Sequence, residues 1–289
     1  MSEISVVLPV YNEEDRIGRC LDSLKRQDFH DFEVAVVDNG CTDATIEIVR
    51  DYEFTRVIED FDTLGSARQT GLKEARGSYV AFMDSDEIAD PSWLSELYKH
   101  REDADAVLGG IKPIEVNTTI ARHFQAMLVL DLKYFPSRIK NRSVRTFGSG
   151  NVLIDREKAL DIGFDRTFPT AEDGDFSYRF LKKGYTISYN PRALVHHEIP
   201  NDFAGFFQYY RKLALGSMLL IKKHKNLDLI KDYIIAMLYP ISPFYIRRMM
   251  RVVGLNFYPI FGLAIFLAYL WGILDFRAYL SPGKVLRPK

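Results

Sequence analysis

The sequence predicts an α/β fold, a doubly wound mixed sheet followed by C-terminal membrane-associated helices. Three observations carry that expectation. Short apolar runs alternate with amphipathic segments over the first part of the chain, joined by short links. Polar residues cluster where those runs stop, at Pro9–Tyr11, Asp38 and Asp84–Asp86, which is where an open sheet with right-handed crossovers gathers its strand ends along one crevice. Charge is also unevenly divided: residues 1–204 carry a net −11 and residues 205–289 a net +10, within an overall −1.

Ile4 to Val10 is a continuous apolar run, as a strand buried on both faces reads. Glu13 to Arg26 follows with Ile17, Leu21 and Leu24 on one helical face. Phe32–Val37 is a second strand. Thr42 or Asp43 can cap the next helix, which carries Ile46, Ile48 and Val49. A short strand at Arg56–Ile58 precedes a helix over Leu64–Ala75, and Ser78–Met83 is a fourth strand. Beyond Glu87 the pattern loosens. Pro91–Arg101 reads as a helix, Ala106–Ile111 and Val152–Ile154 as strands, and Ala171–Lys183 as a helix opening on Glu172-Asp173. Residues 115–147 read as irregular, aromatic and basic. Phe203–His224 is an aromatic-rich helix with Lys/Arg on its polar side. The expected division is a catalytic domain over 1–204, an amphipathic interfacial region over 205–228, and membrane segments over 229–289.

The tail supports a membrane more than nucleic acid, because its basic residues are separated by long uncharged runs. Val252 to Leu274 holds 23 uncharged residues, about 35 Å as a helix against a hydrocarbon core of about 30 Å. Tyr233–Ile246 has 14 uncharged residues and two prolines. It is too short to span alone and is expected to be interfacial or re-entrant. Cys20 and Cys41 have neither metal-ligand spacing nor the number for a disulfide framework. Met1–Ile4 enters a strand at once without a basic and then apolar lead, so no signal peptide is expected.

The chemistry centres on Asp84-Ser85-Asp86. Residues i and i+2 of a strand share a face, so both carboxylates point one way as the fourth strand ends. Convergent carboxylates repel unless a cation lies between them, and a hard metal carrying phosphates suits that place. The position after the first strand has no G-x-G-x-x-G, so a dinucleotide site is not expected, and no Walker A lysine loop is present. The crevice offers instead an aromatic (Tyr11), a carboxylate (Asp38), an arginine (Arg68) and the paired acids. Stacking, base or ribose hydrogen bonding and a metal together describe a nucleotide-diphosphate site.

In order along the chain, Val7-Leu8-Pro9-Val10-Tyr11-Asn12-Glu13, Val37–Asp43, Ala67-Arg68-Gln69-Thr70-Gly71, Ala75-Arg76-Gly77, Asp84-Ser85-Asp86 and Ala171-Glu172-Asp173 resemble the family 2 inverting glycosyltransferases of GT-A fold, a Rossmann-like sheet, over residues 4 to about 215. The resemblance implies that Tyr11 stacks on the base while Pro9 and Glu13 shape its pocket. Asp38 binds base or ribose, and Arg68 holds Asp84 or the nucleotide. Asp84 and Ser85 belong to the donor site. Asp86, with His196, binds Mg²⁺ or Mn²⁺. Asp173 is the general base, and Asn151, Glu172, Gln208 and Arg211 lie on the acceptor side. Two departures stand out: Asp38-Asn39-Gly40-Cys41 replaces Asp-Asp-Gly-Ser, and Gln208-Tyr209-Tyr210-Arg211-Lys212 has lysine where polymerising synthases carry tryptophan. Single addition is therefore expected rather than polymer extrusion.

The function expected is transfer of a sugar from a nucleotide-diphosphate sugar to a lipid-linked acceptor (polyprenyl phosphate or lipid-linked glycan) at the cytosolic face of the cell membrane. The alternative is a catalytically silent scaffold of the same fold. A sugar-1-phosphate nucleotidyltransferase needs a glycine- and arginine-rich loop after the first strand, and Pro9–Glu13 is not one.

Overall fold

The computed structural model describes residues 2–127, 144–244 and 258–279, with positions 139, 246, 247 and 250 among the rest. The described chain divides into two compact units. The first takes residues 2–114 and 144–198, the second residues 115–127 and everything described from 199 on. The segment at 115–127 thus leaves the catalytic domain expected over 1–204.

The first unit is built on one eight-stranded sheet of order β3-β2-β1-β4-β7-β6-β8-β5. Its strands are β1 (Ile4–Val10), β2 (Phe32–Asp38), β3 (Thr55–Glu59), β4 (Tyr79–Met83), β5 (Glu87–Ala89), β6 (Ala106–Pro113), β7 (Asn151–Asp155) and β8 (Ile187–His197). β1 pairs in parallel with β2 and β4, and β2 with β3. β7 enters antiparallel between β4 and β6, so the sheet is mixed. Every residue of β1 is buried, because helices cover both faces. On one side Ile17, Cys20, Leu21 and Leu24 of α1 (Ile17–Lys25) join Ile4, Val6, Leu8 and Val34. On the other, Ala67 and Leu72 of α3 (Leu64–Glu74) meet Val7, Val37, Phe82 and the stacked pair Phe164–Phe176. Thr63 caps α3 by accepting from the Ser66 N–H. Between these helices α2 (Thr45–Arg50) starts beside Asp43, whose Oδ1 accepts the Thr45 N–H at 3.0 Å. Among the described residues the unit also carries α4 (Trp93–Lys99), α6 (Arg156–Ile162) and α7 (Glu172–Lys182).

β8 and β5 were not legible in the sequence. β8 contains Pro191 and meets β6 across a register shift between Gly109 and Gly110, the sort of irregularity at which a sheet admits proline. The backbones approach closely there. A Cβ on Gly109 would lie 2.2 Å from the Ala193 carbonyl oxygen and 2.2 Å from Asn151 Oδ1. Gly109→Ala is therefore expected to destabilise the first unit by at least about 1–3 kcal/mol, read as a lower urea midpoint at unchanged slope.

The second unit is helical: α5 (residues 119–127), α8 (Phe203–His224), α9 (Leu227–Leu238) and α10 (Tyr258–Tyr279). α5 replaces part of the irregular stretch expected over 115–147, most of whose basic residues lie outside the described ones. α8 keeps the expected bounds. Asp202 caps it through the Gly205 N–H, and Lys225 closes it with φ 49°. The core holds Phe124, Phe206, Tyr210, Ala214, Tyr233, Ile265, Ala268 and Tyr269. The Tyr233 hydroxyl donates to the Tyr269 carbonyl at 3.1 Å. α10 covers residues 258–274 of the span expected over 252–274, whose first six residues lie outside the described ones. It is the one described helix long and apolar enough to cross a membrane. One of its faces is buried against its own unit.

Candidate active site

The first unit collects its acids where β1, β2 and β4 end. Asp84 and Asp86 follow β4, and Asp86 Oδ2 lies 3.5 Å from His197 Nε2. Ligand-competent atoms of Asp84, Asp86 and His197 all fall within 4.8 Å of one another. Burial, and then the charge of Asp84, push Asp86 above the ordinary carboxylate range, while His197 opposes the shift. A cation would relieve that repulsion, and two carboxylates with an imidazole form a donor set that could hold a divalent cation.

His196 does not join this cluster. Strand parity turns successive side chains of β8 to opposite faces. His197 stands opposite Glu87 in the register and His196 opposite Ile88. His196 Nε2 instead contacts Asp90 Oδ1 at 3.0 Å. The structure thus sets His197, rather than the His196 expected from the sequence, beside the two acids, because β8 turns the two rings to opposite faces.

Arg68 organises the centre of the crevice. It is 3 % exposed; its Nη2 donates to Asp84 Oδ1 at 2.5 Å and its Nε to Glu172 Oε1 at 2.8 Å. Asp173 sits beside them, accepting the Gly174 N–H at 2.6 Å and a further backbone N–H from Ser149. Three carboxylates therefore share one guanidinium. Burial pushes Glu172 up to about 7 and Asp173 above its ordinary range, each only partly restrained by Arg68. Two buried polar atoms next to these acids, Arg68 Nη1 and Ser149 Oγ, have no protein partner, as in a site shaped for a polar ligand.

The backbone here is set by special residues. Ala171, just before α7, has φ 58°, a left-handed conformation that costs a non-glycine residue about 1–2 kcal/mol. It fixes where Glu172 and Asp173 enter the helix. Gly150 lets the 148–151 turn pass the acids: a Cβ there would lie 2.9 Å from both Asp84 Oδ2 and Glu87 Oε1. Glu87 is a site residue that sequence reasoning missed. It is 1 % exposed, accepts the Asp84 N–H at 3.0 Å, and burial holds it well above its usual pKa. An acid directly after D-x-D was the available signal.

A second part of the crevice lies at the ends of β1 and β2. Asp38 Oδ1 accepts the N–H groups of Gly40 (3.0 Å) and Cys41 (2.8 Å), with Gly40 at φ 92°. Asp38 thus shapes its own loop and is 9 % exposed. Asn39 Oδ1 beside it is buried without a partner. Pro9 is buried within β1, and Tyr11 is half-buried just past it. The Glu13 N–H donates to Thr45 Oγ1 at 2.7 Å, and the Glu13 carboxylate pairs with Arg16. Asp60, a second residue missed from sequence, braces α3 by accepting from Ser66 Oγ and Arg166.

Ser85, expected on the donor side, is buried between the two acids. Of the residues expected on the acceptor side, Glu172 is committed to Arg68. Asn151 is 4 % exposed, and both its N–H groups are spent on the Gly110 and Ala193 carbonyls while Trp93 Nε1 donates to its oxygen. Asn151 therefore braces the sheet, with no N–H left to offer an acceptor. Gln208 and Arg211 belong to the second unit. There Gln208 is exposed and Arg211 forms a two-point ion pair with Asp275.

The sequence and the fold have counterparts among known proteins. The chain is 28% identical over 213 residues to the glycosyltransferase EpsJ of Bacillus subtilis, covering 69% of this chain and 62% of that one. It is also 28% identical over 271 residues to the poly(ribitol-phosphate) beta-glucosyltransferase of Bacillus spizizenii, covering 81% of this chain and 42% of the relative. The chain thus spans less than two thirds of the length of these curated relatives. Among solved structures it resembles the mannosyltransferase PcManGT of Pyrobaculum calidifontis in complex with GDP-Man and Mn²⁺ (TM-score 0.59, 18% identity, 96% of this chain and 76% of that one). It also resembles S. aureus TarS 1-349 (TM-score 0.58, 20% identity, 98% and 93%). These likenesses establish the GT-A fold. The model of Glycosyl transferase family 2 matches residues 5–163, the stretch that carries β1 to β7, Arg68 and the Asp84–Asp86 pair, and the chain accordingly belongs to that family.

Proposed function

We propose that this protein is an inverting, metal-dependent glycosyltransferase that moves one sugar from a nucleotide-diphosphate sugar to a lipid-linked acceptor at the cytosolic face of the cell membrane. The observation that carries the reading is the Asp84–Asp86–His197 cluster at the strand ends of one sheet, with Arg68 of α3 and Asp173 of α7 beside it. PcManGT, a relative in fold, was solved with GDP-Man and Mn²⁺, and TarS 1-349 with UDP-GlcNAc.

In this reading Tyr11 stacks on the base and Asp38 accepts from base or ribose. Asp84, Asp86 and His197 would hold Mg²⁺ or Mn²⁺, which when bound neutralises the departing diphosphate as a Lewis acid. Arg68 fixes the Asp84 carboxylate through a buried, charge-assisted bond. Asp173 takes the proton from the acceptor hydroxyl as its oxygen attacks the anomeric carbon. Direct displacement with a single base inverts the anomeric centre. Glu172 keeps Arg68 in place from the side opposite Asp84.

The lipid acceptor is supported by the basic tail and by the apolar residues that α9 and α10 leave exposed, among them Ile235, Leu238, Leu263 and Leu274. Incubation with a panel of radiolabelled nucleotide sugars and membrane lipid extract is expected to move label into the organic phase. EDTA should abolish the transfer and Mn²⁺ or Mg²⁺ restore it. Transfer that survives full chelation would remove the metal from this reading.

A further inference from the structure

The second unit contains an apolar groove that the transfer chemistry does not use. It lies along α10 beside Phe207 of α8, and its volume of about 530 Å³ is in the range of ligand sites, about 300–1,000 Å³. Leu267, Leu270, Trp271 and Leu274 form its wall, and Arg277 supplies a charge. The wall is open to the outside, with Leu267 47 %, Trp271 51 % and Leu274 56 % exposed.

The helix geometry explains why, among the described residues, this wall is left open. Ala264, Ile265, Ala268 and Tyr269 turn one face of α10 into the core of the unit. Gly272 brings α10 against α8, where an added Cβ would lie 2.5 Å from Ala214 Cβ. Ile260, Leu263, Leu267, Leu270, Trp271 and Leu274 recur at helical spacing on the remaining face. Contiguous large apolar groups of this kind mark an interaction surface.

Charge and lining chemistry select the occupant. The walls offer hydrocarbon contact and almost no hydrogen bonding, so nothing there orients a polar metabolite. Positive charge stands at the edge. Arg277 lines the groove, whereas the Arg211 guanidinium, 5.8 Å from the Trp271 ring centroid, is balanced by its ion pair with Asp275. Residues 205–289 carry a net +10, which favours an anionic head group. We propose that this groove seats a hydrocarbon chain of an anionic membrane lipid, with the lipid phosphate against Arg277. The assignment rests on the membrane association proposed above and goes beyond it by naming a single-lipid site.

The chain has two tryptophans, and they separate cleanly. Trp93 is fully buried and bonded to Asn151, whereas Trp271 is half exposed at the groove. The test uses the full-length protein with vesicles of phosphatidylcholine, alone or mixed with phosphatidylglycerol, carrying brominated chains. Flotation is measured alongside quenching of tryptophan emission. The expected result is flotation with quenching in the mixed vesicles and loss of the quenchable emission in Trp271→Phe. Arg277→Gln should partition about fivefold more weakly into the mixed vesicles, the equivalent of about one basic contact. Monomeric short-chain phosphatidylglycerol should shift Trp271 emission without any bilayer, and Leu267→Glu should abolish that shift. Inorganic phosphate alone should leave the emission unchanged, and a response to it would overturn the lipid assignment. Flotation without quenching, or without a response to the monomeric lipid, would overturn the groove and leave membrane association standing. Absence of flotation would overturn both.

Discussion

Asp173→Asn is expected to slow sugar transfer by about 10²–10⁴-fold, the usual contribution of a positioned base, while leaving donor affinity near that of the wild type. The substitution removes a proton acceptor and little else. Asparagine keeps an oxygen that can accept the Gly174 N–H, as Asp173 Oδ1 does. Burial holds the Asp173 carboxyl above its ordinary value of 3.8, so the folded state binds its proton more readily than the unfolded chain. A group of that sign contributes stability below its unfolded pKa and loses it as pH rises through the folded one. At neutral pH the charged form is therefore a cost, and Asp173→Asn should not lower the melting temperature. A purely structural residue would lower it. The wild-type pH–rate profile should carry an acid limb above the range of a free aspartate, and the variant should lack that limb. Transfer at the wild-type rate in Asp173→Asn would assign the base elsewhere.

Arg68→Met should be the most destabilising single change in the crevice. Removing one partner from a buried ion pair typically costs about 3–5 kcal/mol, and here one guanidinium serves Asp84, Glu172 and the neighbouring Asp173. The loss should depend on pH in a definite direction. Burial raises Glu172 from 4.5 to about 7 even with Arg68 present. Its stabilising contribution is therefore complete below about pH 4.5 and is lost as pH rises toward 7. Without the arginine, which pulls that pKa down, the decline should be deeper. Urea midpoints for wild type and variant, measured from pH 4.5 to 7.5, should diverge with increasing pH. Parallel curves would mean that the three acids are not coupled through Arg68.

The parts of the molecule that the sequence made legible share a physical cause. β1, β2 and β4 are buried on both faces, so they appear as unbroken apolar runs with their chemistry at the ends. The start of α8 is marked in the sequence by Asp202, a good N-cap residue. β5 is three residues long, and β8 holds Pro191 and Arg192 across a register shift; neither offers a period to read. Choosing between His196 and His197 needs strand parity, which is invisible until β8 is known. Asn151 was expected on the acceptor side from the resemblance alone, yet Gly109, distant in sequence, lets the backbones close around its amide, which is consumed by the Gly110 and Ala193 carbonyls. The place of Glu87 directly after D-x-D is legible, but its full enclosure depends on the packing of the Gly150 turn against it. The uncharged run at 252–274 was read as a span by length, whereas the partnership of α10 with α8 and α9 depends on which residues face inward.

The central claim, that the Asp84–Asp86–His197 cluster binds a nucleotide-diphosphate sugar through a divalent cation, is tested most directly by calorimetric titration of a panel of nucleotide sugars in Mn²⁺ and in EDTA, for wild type and Asp86→Asn. At least one donor should bind the wild type in Mn²⁺, lose most of its affinity in EDTA, and bind Asp86→Asn weakly under both conditions. Absence of binding by any nucleotide sugar, or binding unchanged by both chelation and Asp86→Asn, would contradict it.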